Sequence, residues 1–265
     1  MKARLLSENR RLYYQIQSLF EIVLKEKWIA KNKRILIPML KASFFNRDAS
    51  LVAQQLLGKI IRRKYQGHWL AALIIETEVY YIEDKGSHAS LGFTEKRKAL
   101  FMPAGTIYMY YARGKDSLNI SCKGKGNAVL IKSAYPFFDK FTDANALQIM
   151  QQLNLTKAGD TRPIEKLCKG QTLLCHALDL KVTEWDQQQF DAKNFFIDDI
   201  KATPDKIIQT ARLGIPAGRD EHLQYRFIDY DFARFCTSNP LTKRNWAENK
   251  HYKIVPLEKA RGNIT

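Results

Sequence analysis

Apolar and polar positions alternate along residues 69–80, and the run Leu73-Ile74-Ile75-Glu76-Thr77-Glu78-Val79-Tyr80 predicts a strand. Strand side chains point to alternate faces, so Glu76, Glu78 and Tyr80 share one side while Ile75, Thr77 and Val79 share the other. That arrangement is expected to line one cavity wall with two acids and a ring. Upstream, Asp48 is placed to cap a short helix through Leu57, which Gly58 ends, and Lys59-Ile60-Ile61-Arg62-Arg63 opens an earlier strand. Residues 105–112 predict a further strand, turned by Arg113-Gly114-Lys115-Asp116 into residues 117–121 to make a hairpin with a cationic tip. A Gly124-Lys125-Gly126 turn leads to an apolar strand over 127–134. Helical spacing then covers approximately 138–153, 172–178 and 204–213, and a late strand is expected near 225–228.

Before this pattern begins, residues 1–42 read as a basic extension of helical character, with Leu12, Ile16, Leu19, Phe20, Ile22 and Val23 at helical spacing. The main domain is expected over 43–240, followed by a basic tail over 241–265 that carries Lys243, Arg244, Lys250 and Lys253. At 265 residues and 45% hydrophobic content the chain can bury one sizeable core, and no Pro/Gly/Ser-rich linker divides it.

Charge changes the picture most. Forty-three Lys and Arg against twenty-seven Asp and Glu leave a formal charge of +16, which points to a polyanionic partner, nucleic acid first, or otherwise to a solvated basic surface. Cys122, Cys168, Cys175 and Cys236 are too widely spaced to suggest a zinc site or a disulfide framework, so reduced buried thiols are expected and no metal. The apolar positions near the amino terminus are interrupted by Glu8, Arg10, Arg11, Glu21, Lys25 and Glu26, which leaves no signal-peptide core. No run reaches the length of a membrane span, and a reducing aqueous compartment is expected: cytoplasm or nucleoid in a bacterium, the nucleus in a eukaryote.

A carboxylate beside aromatic rings, in a cationic protein, is the chemistry expected where a nucleobase is drawn out of a duplex. Breaking an N-glycosidic bond passes through an oxocarbenium-like state. A carboxylate near C1′ can stabilise that charge and take a proton from water, and Glu78 is the candidate. An everted base recovers lost stacking, worth about 1–3 kcal/mol per base, on aromatic faces. Tyr80, His88 and Tyr110 fit that need. Lys96, Arg97 and Lys98, with Lys115, Lys123 and Lys125 on or beside the hairpin, are placed to neutralise phosphates.

Several motifs recur in order: Phe44-Phe45 with Leu56-Leu57-Gly58-Lys59, Ile75-Glu76-Thr77-Glu78-Val79-Tyr80, Glu83-Asp84 with His88, Gly105-Thr106-Ile107-Tyr108-Met109-Tyr110, Leu118-Asn119-Ile120-Ser121, and Cys175 with Ala177-Leu178. Over roughly residues 44–228 the chain thereby resembles the alkyladenine (methylpurine, 3-methyladenine) DNA glycosylase family. The resemblance implies a single mixed α/β domain. It has a curved, mostly antiparallel sheet flanked by helices, a protruding hairpin that enters the DNA minor groove, and neither metal nor cofactor. It also implies action on double-stranded DNA that contains damaged purines, and a monomer is the simplest expectation, since one site enfolds one flipped nucleotide.

By the same resemblance Glu78 is catalytic with Lys132 near the catalytic water and a phosphate, Tyr80, His88 and Tyr110 wall the base pocket, and Asn119 rejects the exocyclic amino group of guanine. The chain departs from the family where a lysine, Lys132, replaces an arginine, so that charge is kept but the bidentate fork is lost. Arg113 stands where the family inserts a tyrosine between base pairs, in a hairpin one residue shorter, and Leu173 replaces a lysine facing DNA. One residue is also missing between Tyr80 and Glu83. These departures leave a second reading, a noncatalytic nucleic-acid-binding protein on the same fold. A third, an enzyme on a small polar substrate with Glu78 and His88 as an acid/base pair, leaves the cationic hairpin without a purpose.

Overall fold

The computed structural model describes residues 39–257. The expected helix over residues 1–42 lies outside them up to residue 38. Within them the chain forms a mixed α/β domain built on one nine-stranded sheet in which every pairing between strands is antiparallel.

Two short helices, α1 (Ala42–Phe45) and α2 (Ala49–Leu56), open the domain. Asp48 caps α2 as its sequence position demands, accepting from the amides of Ser50 at 2.9 Å and Leu51 at 3.2 Å. Such a cap stabilises a helix by about 1 kcal/mol. The buried face of α2, Ala49, Val52, Ala53 and Leu56, packs on the sheet, and Thr77 Oγ1 donates to the Ala53 carbonyl at 3.0 Å.

After β1 (Ile60–Tyr65), strand β2 (His68–Tyr80) is the axis of the sheet. Its first half pairs with β1, its last part pairs with β8 (Arg226–Asp229), and β5 (Ala128–Pro136) runs along its other edge. The hairpin β3 (Ile107–Ala112) and β4 (Lys115–Ser121) joins through β5. On the far side β8 continues to β7 (Lys206–Thr210) and β9 (Tyr252–Pro256), while β6 (Phe195–Asp198) pairs with β1. Helices α3 (Ala146–Leu153) and α4 (Gln171–Ala177) pack against the sheet, and α5 (Val182–Trp185) lies beside β3.

The β2–β5 ladder is irregular where it matters. Ile75 of β2 and Lys132 of β5 have no partner across it, because the register steps from Ile74 to Glu76 and then from Ser133 to Ile131. Ahead of this break Leu70, Ala72 and Ile74 point into the main core, and behind it Val79 does so. A bulge reverses the parity of a strand. The face carrying Glu76, Glu78 and Tyr80 is thus turned away from that core, and Lys132 is re-aimed toward the same place.

Three segments differ from the sequence pattern. The 204–213 segment holds a strand, β7, instead of a helix: Ile207, Ile208 and Thr210 are β-branched and buried between two neighbouring strands, and that packing overrides a helical spacing. The helix expected over 138–153 is confined to Ala146–Leu153. The sheet also runs past residue 240, since Tyr252–Pro256 pairs with β7 throughout.

Glu76 is fully buried and occupied. It accepts from Arg226 Nε at 2.7 Å, Thr237 Oγ1 at 2.6 Å, the Thr237 amide at 3.0 Å, and Ser133 Oγ. Burial works to raise its pKa, but Arg226 and the Ser133 and Thr237 hydrogen bonds outweigh it and hold the carboxyl below its ordinary value. Glu76 is a structural acid joining β2, β5, β8 and the 237 loop. Removing one member of a buried pair leaves the other uncompensated, so Glu76→Leu is expected to cost about 3–5 kcal/mol of unfolding free energy. Urea denaturation reads this directly, and a loss under about 1 kcal/mol would contradict the assignment.

Candidate active site

The geometry begins with Glu78, two residues along β2 from Glu76 and equally buried. Its carboxylate has three donors: the Tyr80 hydroxyl at 2.8 Å and Lys132 Nζ at 3.4 Å on Oε2, and the Leu213 amide at 3.2 Å on Oε1. All three donors belong to residues lining a cavity of about 940 Å³, whereas Glu78 does not line it. The expectation that both acids line the wall is therefore corrected. Glu76 is spent on Arg226, and Glu78 sits one layer behind the wall, because each buried carboxylate must find its own donors.

The remaining walls come from four elements. Strand β3 contributes Tyr108 and Tyr110, β4 contributes Asn119, β5 contributes Ala128 and Lys132, and the start of α4 contributes Gln171, Thr172 and Leu173. Loops supply His88 on one side and Leu213 to Pro216 with Arg219 on another. These two loops are tied to each other. Asp84 accepts from Arg212 Nη1 at 2.9 Å, Asp220 accepts from the Lys85 amide at 2.8 Å, and the Arg219 guanidinium donates to the Lys85 carbonyl.

The aromatic faces form a contiguous group. Tyr108 and Tyr110 lie 5.5 Å apart at 22°, His88 stands 4.3 Å from Tyr110 at 65°, and His88 Nδ1 is 3.0 Å from the Tyr108 hydroxyl. Burial, then Arg97 and Arg219, lower the His88 pKa, so the ring is neutral at neutral pH. Burial followed by the neighbouring Glu78 raises the Tyr80 phenol well above its usual value, which keeps it a donor to Glu78. Asn119 is buried, with Nδ2 donating to the Tyr108 carbonyl at 3.2 Å.

Electrostatically the cavity is one-sided. Arg113, Lys115, Lys132, Lys169 and Arg219 line it, and none of its lining residues is an acid. A concave surface with cationic walls and aromatic faces suits an anionic backbone carrying a planar base. At the hairpin tip Arg113 (φ 53°) and Gly114 (φ 78°) make a two-residue turn of the type that matches strand twist. The Arg113 side chain reaches over toward the 213–216 loop: a Cβ built on Gly214 would stand 3.7 Å from its Nη2.

The chain matches the family model described as methylpurine-DNA glycosylase over residues 43–232. It belongs to that family. A protein of Pseudomonas aeruginosa (strain LESB58) is 59% identical over 216 residues, covering 82% of this chain and 90% of its own length. One of Pseudomonas savastanoi pv. phaseolicola is 62% identical over 212 residues, 80% of this chain and 95% of its own. One of Clostridium beijerinckii is 34% identical over 184 residues, 67% and 88% respectively. All three carry the name "Putative 3-methyladenine DNA glycosylase".

Of the residues singled out in the sequence of this methylpurine-DNA glycosylase family member, Tyr80, His88, Tyr110, Arg113, Lys115, Asn119 and Lys132 line one cavity, with Glu78 behind it. Lys96, Arg97, Lys123 and Lys125 do not line it. Lys96, Lys123 and Lys125 are exposed, and Arg97 holds the loop after His88 by donating to the carbonyls of His88 and Gly92 at 3.2 and 2.8 Å. His88 bonds Tyr108, and Glu78 bonds Tyr80, so the two are not in contact with each other.

Sequence reasoning missed Tyr108, Lys169, Gln171 and the loop from Arg212 to Arg219. Tyr108 was recoverable, since it shares strand parity with Tyr110. The 212–219 loop was not, because it reaches the cavity only through tertiary contacts with the 84–88 loop. Among the described residues no cluster of His, Cys, Asp and Glu could hold a metal, and no helix is long and apolar enough to cross a membrane. The four cysteines are buried, with burial raising each thiol, Cys122 to about 12.

A histidine that binds its proton less tightly when folded contributes stability that is present above its unfolded pKa of about 6.5 and is lost as pH falls below it. Folding stability should thus decline as pH drops through and below that value, less steeply in His88→Gln. An NMR titration should place the His88 midpoint below 6.5; a midpoint above 6.5 would contradict the neutral ring.

Proposed function

We propose that the protein is a monofunctional DNA N-glycosylase that everts a damaged purine from duplex DNA and hydrolyses its bond to the sugar. The observation carrying this reading is the placement of Glu78 directly behind an aromatic, cationic cavity, in contact with three of its wall residues. The family membership supports the reaction class, and a cavity of about 940 Å³ has room for a nucleotide.

In this mechanism the everted purine lies among Tyr80, His88 and Tyr110, with C1′ toward Glu78. Lys132 is the loosest of the three donors at 3.4 Å, and it stands at the wall of the cavity. As the nucleotide enters, its phosphate draws the ammonium away and water takes its place against the carboxylate. The C1′–N bond breaks with its electron pair leaving on the base, the water oxygen bonds to C1′, and the water proton passes to Glu78. An alkylated, positively charged purine leaves as a neutral base. A deaminated purine is a poorer leaving group and takes a proton from solvent water as it departs, the proton on Glu78 returning to solvent afterwards. The products are a free modified purine and an abasic site, and no amine bonds to the sugar. Asn119 at the cavity wall excludes a guanine amino group by steric conflict, since it is buried and anchored to β3.

Lys115, Arg113, Lys169 and Arg219 engage phosphates around the everted nucleotide, while Lys96, Lys123 and Lys125 lie farther from it. The protein acts as a monomer, because a single cavity encloses a single nucleotide.

Incubation with an alkylated or hypoxanthine-containing duplex, followed by alkali cleavage at abasic sites, tests the reading. The protein should generate alkali-labile sites, and Glu78→Gln should lower single-turnover excision by about 10²- to 10⁴-fold while retaining binding to the damaged duplex. Excision at the unaltered rate would remove Glu78 from the mechanism. Binding without any abasic product from the native protein would establish the noncatalytic alternative.

A further inference from the structure

One cation stacked on a base-pocket ring is used by no part of the proposed mechanism. Arg212 is buried, does not line the cavity, and holds its guanidinium 4.6 Å from the centroid of the Tyr80 ring. Tyr80 does line the cavity, so the ring that carries Arg212 on one side also borders the space where a base would stack. The arginine is fixed by its Nη1 edge alone, which donates to the Val79 carbonyl at 2.8 Å and to Asp84 at 2.9 Å. Its Nε and Nη2 are buried with no hydrogen-bond partner, and the Tyr225 ring lies 5.6 Å away. The three N–H bonds of Nε and Nη2, left unpaired beside an aromatic face, are best compensated by the π-density of that face.

We propose that Arg212 is a specificity-determining residue: by occupying the rear face of Tyr80 it cancels that ring's attraction for a positively charged base, so that Tyr80 selects purines by shape and stacking and not by charge. The proposal rests on the reading of the cavity as a base pocket. Its physics is direct. The π-cloud of one ring serves both faces, and a cation bound behind withdraws the density that a second cation in front would need; the two positive charges also repel through the ring. Asp84 does not undo this. It meets the guanidinium at the Nη1 edge alone, leaving Nε and Nη2 without a partner. Recognition of lesion charge then falls to Tyr110, since Arg97 and Arg219 already act on the neighbouring His88 ring. The consequence is a pocket whose stacking favours neutral lesions, such as hypoxanthine, more evenly with cationic ones than three free aromatic faces would.

The test compares duplexes containing hypoxanthine and 7-methylhypoxanthine, which present the same pairing edge and differ by a methyl group and a positive charge. The ratio of their single-turnover excision rates is measured for the native protein, for Arg212→Lys, and for Arg212→Met combined with Asp84→Asn so that no buried acid is left unpaired. Removing the charge should raise the cationic-to-neutral ratio about 3- to 10-fold over the native value, the range corresponding to a cation–π contact, and Arg212→Lys should stay within about twofold of native. A ratio unchanged in the double variant would overturn the proposal. Because both substrates are read on the same preparation, a partial loss of folded protein cancels. A second measurement reads binding without excision: the cationic-to-neutral affinity ratio of Glu78→Gln should rise about 3- to 10-fold when Arg212→Met and Asp84→Asn are added to it, and an unchanged ratio would overturn the proposal. Absence of excision on every duplex by the native protein would fail the glycosylase reading instead, while the binding comparison still reports on Arg212.

Discussion

Two carboxylates two residues apart on the central strand, both removed from water, impose the condition on which the rest of the site is built. Buried like charges at that spacing persist only where each has its own donors. Glu76 takes Arg226, Ser133 and Thr237, and becomes part of the framework. Glu78 takes Tyr80, Leu213 and, at longer range, Lys132, and all three belong to the cavity wall. The division follows from what stands beside each acid: an arginine locked inside the fold for one, groups of cavity-lining residues for the other.

The irregular β2–β5 ladder makes this division geometrically possible. A regular pairing would keep the even-numbered residues of β2 on one face throughout, and the acids would follow Ala72 and Ile74 into the apolar core. The unpaired Ile75 and Lys132 reverse the parity at that point. The turn toward the cavity and the lysine that meets Glu78 are thus two results of a single distortion. Opposite, the 84–88 and 212–220 loops are held together by Arg212 with Asp84 and by Lys85 with Asp220 and Arg219, so that Tyr80, Leu213 and His88 keep their mutual positions.

Much of this was legible from sequence, and the boundary is physical. Alternation placed Glu78 and Tyr80 on one face, the Asp48 cap obeyed local chemistry, the turn expected over Arg113–Asp116 closes in two residues, Arg113 and Gly114, with Lys115 and Asp116 already in the strand, and the ordered motifs placed Asn119, His88 and Tyr110 together. Alternation could not announce the bulge, because pairing irregularity depends on the partner strand and not on the strand itself. Nor could it show that Glu78 lies behind the wall, which depends on Leu213, a residue 135 positions away. The strand at Lys206–Thr210 escaped because its two flanking strands, β8 and β9, supply the packing that decides it. The cationic lining was foreseeable as net charge, yet Lys169 and Arg219 join it only through tertiary contact.

The central claim is that the carboxylate behind the wall becomes the group facing the sugar once a nucleotide occupies the cavity. A crystal structure of the protein on duplex DNA bearing a cationic pyrrolidine abasic analogue tests it most directly. The account predicts an everted analogue inside the cavity with Glu78 within about 3 Å of the atom that replaces C1′, directly or through one water, and Lys132 turned to a phosphate. An analogue held outside the cavity, with Glu78 still covered by Lys132 and Tyr80, would contradict it.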